Sequence, residues 1–265
     1  MEKKIDVDEL KKIQIEILDI AAEFCERNDI KYWINCGTLL GAVRHKGYIP
    51  WDDDIDLGML REDYDRFIKL FNESNNRYRA YCFENNPNFY YGYCKVLDTN
   101  TVLYEPDRKG NKLSANIDIF VYDNAPKGKF KVKLSFLKRT IYLKCYQVKL
   151  LYTENYNIIK KMMVYFLYVL LLPFSKKFFI TKIVKNGKKY VDKENDYVAD
   201  LCGFDNILFE KELFKSFTTL KFEGKEYKVP SNYDKFLHVM YGDYMKLPPE
   251  EERVSHHRFE AYYKN

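Results

Sequence analysis

The sequence holds few chain-breaking residues, with 11 Gly and 8 Pro in 265 positions, against 24 Tyr and 19 Phe. With an apolar share of 46%, that scarcity excludes a collagen-like, low-complexity or disordered chain and leaves one substantial domain, or one domain with an elaboration. Cysteine is sparse and scattered. Its six positions, 25, 36, 82, 94, 145 and 202, include no close pair and no C-x-x-C with a histidine partner. Neither a zinc site nor a disulfide framework is expected, and a reducing compartment is the simpler setting. A long hydrophobic run is also missing: the longest, Met162 to Phe174, lies between Lys160-Lys161 and Lys176-Lys177. At about 1.5 Å per helical residue it reaches roughly 20 Å, short of the ~30 Å core of a bilayer. The first dozen residues mix acids and bases where a secretory signal needs an apolar centre, so export by that route is not expected.

Acid is absent from one region almost entirely. Between Lys127 and Tyr190 there are 16 Lys and Arg and a single acid, Glu154, giving +15; the rest of the chain holds 28 bases against 38 acids, giving −10. The overall charge of +5 therefore hides an acidic body with a basic segment. The bases lack a groove-reading or stacking motif, so nucleic acid is not an expected partner.

Hydrophobic spacing gives the elements. Asp6 and Glu9 resemble a capping box, and Leu10, Ile13, Ile17, Ala21 and Phe24 recur at helical spacing, predicting a helix over 7–27. Ile30 to Ile34 reads as a short strand running into Gly37-Thr38 and a helical stretch from Leu39 to His45. After Gly47 and Pro50, residues 52–59 read as a strand, because Ile55, Leu57 and Met59 alternate with Asp54, Asp56 and Gly58. A helix follows over 62–71, then strands over 78–84, 90–97 and 101–105. Asn116 to Tyr122 repeats the alternation, with Ile117, Ile119 and Val121 on one face and Asp118 on the other. The basic segment reads as largely helical. A hairpin is expected at Glu223-Gly224 and a helix near Tyr233 to Met240.

The chemistry is concentrated in the carboxylates. Asp54 and Asp56, two apart on a strand, share a face roughly 6 to 7 Å apart at the backbone, close enough to ligate shared divalent cations. Oxygen ligands without a neighbouring His or Cys favour Mg²⁺ or Mn²⁺, ions suited to clamping a polyphosphate during phosphoryl transfer. Asp118 could complete the metal shell or take the proton of an attacking hydroxyl. Gly37 and Thr38 at a helix start offer N–H groups and a hydroxyl to a phosphate, and Arg44, His45 and Lys46 add positive charge or simply end the helix. Four Asp among positions 52–56 also fit a solvated acidic loop, but the alternation with Ile55, Leu57 and Met59 speaks against it.

The run G-T-L-L-G-A-V-R-H-K-G-Y-I-P-W-D-D-D-I-D-L, Gly37 to Leu57, resembles the signature of the LicD family of phosphotransferases, related to the fukutin proteins. The resemblance continues in I-D-I-F at 117–120, V-P-S-N-Y-D-K-F-L at 229–237 and Y-G-D-Y-M-K-L-P-P at 241–249, and closes at His256 and His257. It implies an α+β, nucleotidyltransferase-like (DNA polymerase β-type) mixed sheet with flanking helices. The catalytic core is then expected over 1–126 and is completed by 191–265, with 127–190 as a basic, mainly helical insertion. Family members resemble enzymes that move phosphocholine, or a similar group, from a cytidine-diphosphate donor to a sugar hydroxyl of a cell-surface glycan, releasing CMP.

In that picture Asp54 and Asp56 hold the metal, and Asp118 is the base or a third ligand. Lys95 is placed near the phosphates or on a strand surface. Tyr241, Asp243 and Tyr244 are acceptor or head-group contacts, and His256 and His257 contact phosphate or face solvent. A nucleotidyltransferase attaching NMP to a small molecule, a glycosyltransferase using D-x-D, and a non-catalytic membrane-surface module are the alternatives. The scattered cysteines and the missing secretory signal imply a cytoplasmic enzyme, and a lipid-linked acceptor with the apolar run in the basic segment suggests work at the inner face of the plasma membrane.

Overall fold

The structure, a computed structural model, describes residues 3–74, 77–89, 91–104, 112–151, 156–254 and 259–264. Strand β1 (Lys4–Ile5) leads into helix α1 (Val7–Arg27), whose N-cap Asp6 accepts the Glu9 N–H at 2.8 Å. Leu10, Ile13, Ile17, Leu18 and Ala21 form the buried stripe of α1, the face its spacing predicts. Strand β2 is Trp33–Ile34, helix α2 Cys36–Arg44, strand β3 Asp56–Leu60 and helix α3 Arg61–Ser74. Strands β4 (Tyr78–Tyr81), β5 (Cys94–Asp98), β6 (Thr101–Tyr104), β7 (Lys112–Leu113) and β8 (Asn116–Asn124) follow. The basic segment forms α4 (Lys129–Leu150), α5 (Ile158–Leu170) and α6 (Lys176–Lys188). Then come β9 (Tyr197–Ala199), β10 (Phe209–Glu210), the hairpin β11 (Phe217–Phe222) and β12 (Lys225–Pro230), helix α7 (Tyr233–Tyr241) and β13 (Glu260–Tyr263).

The molecule is therefore α+β, built on a mixed sheet in which β8 is central. Along one side β8 runs parallel to β3, with Asp56 opposite Asp118 and Leu57 opposite Ile119. Along the other it pairs antiparallel with β5 through its first half and with β9 at its end. Ile117, Ile119 and Val121 are all buried, as their alternation requires, and α1 packs on that sheet. A second, antiparallel sheet has the order β1-β13-β6-β7. The hairpin forms where expected, with Glu223 and Gly224 both at positive φ in a two-residue turn.

Several strands are shorter than their sequence signals. The strand expected over 52–59 starts only at Asp56, because the Asp56 N–H is taken by the Thr38 hydroxyl at 2.8 Å instead of a strand partner. Asp54 thus lies in the lead-in to β3, not within it. The stretch 30–34 is strand only at Trp33 and Ile34, and the strand expected over 90–97 begins at Cys94.

Two buried guanidinium groups tie distant parts of the chain together, one joining α4 of the basic segment to the loop after β9 and one joining α3 to β8. Arg139 of α4, 1% exposed, donates to the carbonyls of Asp200, Phe204 and Asp205 at 2.7, 2.9 and 2.6 Å and to Asn206 Oδ1 at 2.6 Å. Arg61 at the start of α3 forks onto Asp123 of β8 at 2.7 and 2.9 Å and reaches Asp65 and Glu84. Lys188 of α6 pairs with the same Glu84.

Asp200 sits beside Arg139, its Oδ1 accepting the N–H groups of Cys202 at 3.1 Å and Gly203 at 2.6 Å. Burial pushes its carboxyl up to about 7, against the two N–H bonds and Arg139, which pull it down. A folded-state value above the ordinary ~3.9 means that ionisation opposes folding. The stability this group contributes is complete below about pH 4 and lost as the pH rises through about 7. Asp200→Asn keeps the acceptor oxygen, so it is expected to flatten this decline by up to about 4 kcal/mol in urea unfolding followed from pH 4 to 8. An unchanged slope would place the titration elsewhere.

Candidate active site

The carboxylates meet where β3, β8 and β5 run side by side. Asp56 faces Asp118 across β3 and β8, and Lys95 faces Asp118 across β5 and β8, so the three residues stand in a row. Asp118 N–H closes on the Ile55 carbonyl at 2.9 Å, fixing the lead-in that carries Asp54. Gln14 of α1 holds that lead-in from beneath, donating to the Asp53 carbonyl at 3.0 Å and to the Asn116 carbonyl at 3.3 Å. Asp54, Asp118, Lys95, Asn116 and Gln14 line one small pocket.

Electrostatics single out Asp56. Desolvation, then the charges of Asp54, Asp118 and Asp52, push its carboxyl well above the ordinary range, with Lys95 pulling it back. A divalent cation would relieve that surplus of negative charge, and the donors are hard oxygens, so the residues fit Mg²⁺ or Mn²⁺ chemically. Among the described residues, however, no three Asp, Glu, His or Cys side chains stand together as a finished metal site. Beside Asp118 stands Lys95. It is buried at 8% exposure, its ammonium donating to Asp118 Oδ1 and, at 3.1 Å, to Asn116 Oδ1, with the rings of Tyr91 and Tyr93 at 5.1 and 5.4 Å. It is not a surface strand lysine; its charge is committed to Asp118.

The helix start before the carboxylates is built for close approach. A side chain at Gly37 would meet Asp52 Oδ2 at 2.5 Å, and one at Gly41 would meet the Gly47 carbonyl at 2.4 Å. The chain from α2 to the aspartates thus folds back tightly over the helix, and at Gly41, where the obstacle is backbone, only glycine leaves room. The carboxylate of Asp52 faces the first turn of α2 at Gly37, and Thr38 is buried with its hydroxyl accepting from the β3 backbone. Through that bond Thr38 positions the backbone of Asp56.

A second, wider pocket of about 380 Å³ opens beside the first turns of this loop, lined by Arg44, Trp51, Tyr241, Asp243 and Tyr244 among others. Arg44 donates to His45 Nε2 at 3.0 Å and to the Tyr244 carbonyl at 3.0 Å, tying the end of α2 to the loop after α7. Burial and the Arg44 charge hold the His45 imidazole below its usual range, so it stays neutral at pH 7. Tyr241 is 43% exposed, yet desolvation, Cys36, Asp56, Asp205 and Asp52 push its hydroxyl up, which links this pocket to the carboxylates. Tyr244 is buried, its hydroxyl donating to Asp234 at 2.7 Å, so it braces the loop. Lys46 is exposed, at positive φ, and turns its ammonium to the Val43 carbonyl at 3.3 Å. His256 and His257 lie outside the described residues.

Sequence reasoning passed over Trp51, which meets His45 edge-on at 6.3 Å and has Arg253 over its ring at 5.7 Å. The tryptophan immediately precedes the aspartate run, a signal that was available. It also passed over the Arg61–Asp123 pair, which nothing local in the sequence connects.

An α+β enzyme with carboxylates on adjacent parallel strands and a basic, aromatic mouth is the class of protein that this fold and site define. Residues 29–140 match the LicD/FKTN/FKRP nucleotidyltransferase domain. The chain is 36% identical over 272 residues, 98% of its own length and 99% of the other, to the lipopolysaccharide cholinephosphotransferase LicD of Haemophilus influenzae. It is 53% identical over 38 residues, 14% of this chain and 8% of the relative, to human ribitol 5-phosphate transferase FKRP. It is 35% identical over 60 residues, 23% of this chain and 13% of the relative, to mouse ribitol-5-phosphate transferase FKTN. The chain belongs to the LicD family of transferases.

Proposed function

We propose that the enzyme transfers a substituted phosphoryl group, phosphocholine or a close relative, from a cytidine-diphosphate donor to a sugar hydroxyl of a cell-surface glycan. The observation that carries this reading is the register of Asp56 against Asp118, with Asp54 in the lead-in, in a chain similar from end to end to a lipopolysaccharide cholinephosphotransferase. The similarity to the ribitol-phosphate transferases FKRP and FKTN makes ribitol phosphate a second head group to test.

The acceptor oxygen attacks the phosphorus distal to the nucleoside, the bond from that phosphorus to the bridging oxygen breaks, and its electron pair leaves with CMP. The proton of the acceptor hydroxyl passes to the Asp118 carboxylate, which Lys95 holds in place. Asp54 and Asp56 would hold Mg²⁺ or Mn²⁺, which when bound supplies charge neutralisation on the donor diphosphate. Thr38 fixes the Asp56 backbone, and Gln14 fixes the strand lead-in. Trp51 and Tyr241 offer π-faces to a quaternary ammonium head group in the wider pocket. The arrangement of carboxylates also suits the nucleotidyltransferase-like architecture that the family resemblance implies.

Product analysis tests the reading. CDP-choline, CDP-ethanolamine and CDP-ribitol, each supplied with a lipid-linked glycan, are expected to give CMP release with at least one donor. Release of pyrophosphate from a nucleoside triphosphate, with none from the cytidine-diphosphate donors, would favour NMP attachment and reject head-group transfer.

A further inference from the structure

Helix α5 presents its greasy side outward. Only Val164 is buried on it, and Lys161, Val164 and Tyr168 mark the face turned to α4, where Lys149 lies 4.5 Å from the Tyr168 ring centroid and donates to the Leu171 carbonyl. At 3.6 residues per turn, Ile158, Ile159, Met162, Phe166, Val169 and Leu170 share an arc of about 120° on the opposite side. Their exposures run from 57% to 75%, and no charged residue interrupts the arc. Exposed Lys160 borders it on one side, and Lys176 and Lys177 follow the helix. Helix α4 carries a second exposed stripe, Phe130, Leu134, Leu137 and Ile141. Water is a poor neighbour for so much contiguous apolar surface.

We propose that α5 is a membrane-docking helix that lies in the interface of an anionic bilayer, its Ile158–Leu170 apolar face inserted and its flanking lysines at the headgroups. Length and charge favour this occupant. Among the described residues no helix is long and apolar enough to cross a membrane, and thirteen residues reach about 20 Å, so α5 suits lying in the interface and not spanning it. The surrounding segment carries +15 while the rest of the chain carries −10. An anionic surface therefore attracts the arm and repels the body, orienting the protein on approach. The same charge disfavours a second copy, since two arms of +15 would have to meet face to face.

The proposal stands apart from the identity of the donor and acceptor, and its test needs neither. The full chain is floated with vesicles of phosphatidylglycerol and phosphatidylethanolamine, and with vesicles of phosphatidylcholine alone. Binding is expected to the anionic vesicles only and to fall severalfold between about 50 mM and about 500 mM salt. Met162→Glu with Phe166→Glu is expected to cut the bound fraction about tenfold without changing thermal melting, because both side chains are exposed. Phe166→Trp gives an independent reading, since the native tryptophans, Trp33 and Trp51, are in the body. Its emission is expected to shift to the blue and to be quenched by brominated lipid. Absence of vesicle binding, equal binding by the double-glutamate variant, or an unquenched signal from the Phe166→Trp variant each overturns the proposal. So does a self-associated native protein that the double variant dissociates while neither form binds vesicles.

Discussion

Asp56→Asn is expected to lower turnover by about 10³-fold or more, some 4 kcal/mol of transition-state stabilisation, while raising the melting temperature of the metal-free protein. Both effects come from the same crowding. Asp54, Asp118 and Asp52 push the Asp56 carboxyl up, so its ionised form is held in place against repulsion and desolvation. A raised folded-state value makes the penalty absent below the ordinary carboxylate range and complete above the folded-state value; the amide removes it throughout. The backbone contact survives, because Thr38 accepts from the Asp56 N–H and not from its side chain. Mg²⁺ is expected to raise the melting temperature of the native enzyme and to leave that of the variant nearly unmoved. Unchanged CMP release by the variant would remove Asp56 from the reaction, and a lower metal-free melting temperature would show that its charge stabilises the fold.

Arg61→Met should be the most damaging substitution for stability, costing about 3–5 kcal/mol in denaturant unfolding. Asp123 is 0% exposed, and the guanidinium fork satisfies both of its oxygens. Desolvation pushes the Asp123 carboxyl up and Arg61 pulls it back, so deleting the arginine leaves a buried charge with its main partner gone. The loss extends to Glu84, which Arg61 and Lys188 share between α3 and α6. Replacing both partners, Arg61→Met with Asp123→Leu, is expected to recover most of the loss, because an apolar pair of similar volume needs no compensation. If the double variant is as unstable as the single one, Arg61 acts through packing and not through its charge.

The elements legible in the sequence were those with strong local signals. The stripe of α1, the alternation of β8 and the Glu223-Gly224 turn each follow from a few neighbouring residues, and the structure has them. The pairing of the aspartates with a strand was legible; the point where that strand begins was not, since it depends on a hydroxyl eighteen residues earlier in the chain. Lys95 shows the same limit. An alternating strand tells which face a lysine takes but not that β5 lies beside β8 and delivers the ammonium to Asp118. Arg139 and Arg61 went unread because each is defined by partners more than sixty residues away. The register between strands, which sets the site, is a property of tertiary pairing.

The strand pair that closes the second sheet bears on how the protein can fold. Lys4 and Ile5 of β1 are hydrogen-bonded neighbours of Tyr262 and Ala261 in β13, which also bridges to β6. More than 250 residues separate these partners, and loop closure of that length slows the search for native pairing. During synthesis the main mixed sheet can assemble once β10 is made, but β1 and β6 must wait with unpaired edges until β13 emerges. The ribosome thus imposes an order on the two sheets, with the catalytic strands in place before the smaller sheet can be sealed.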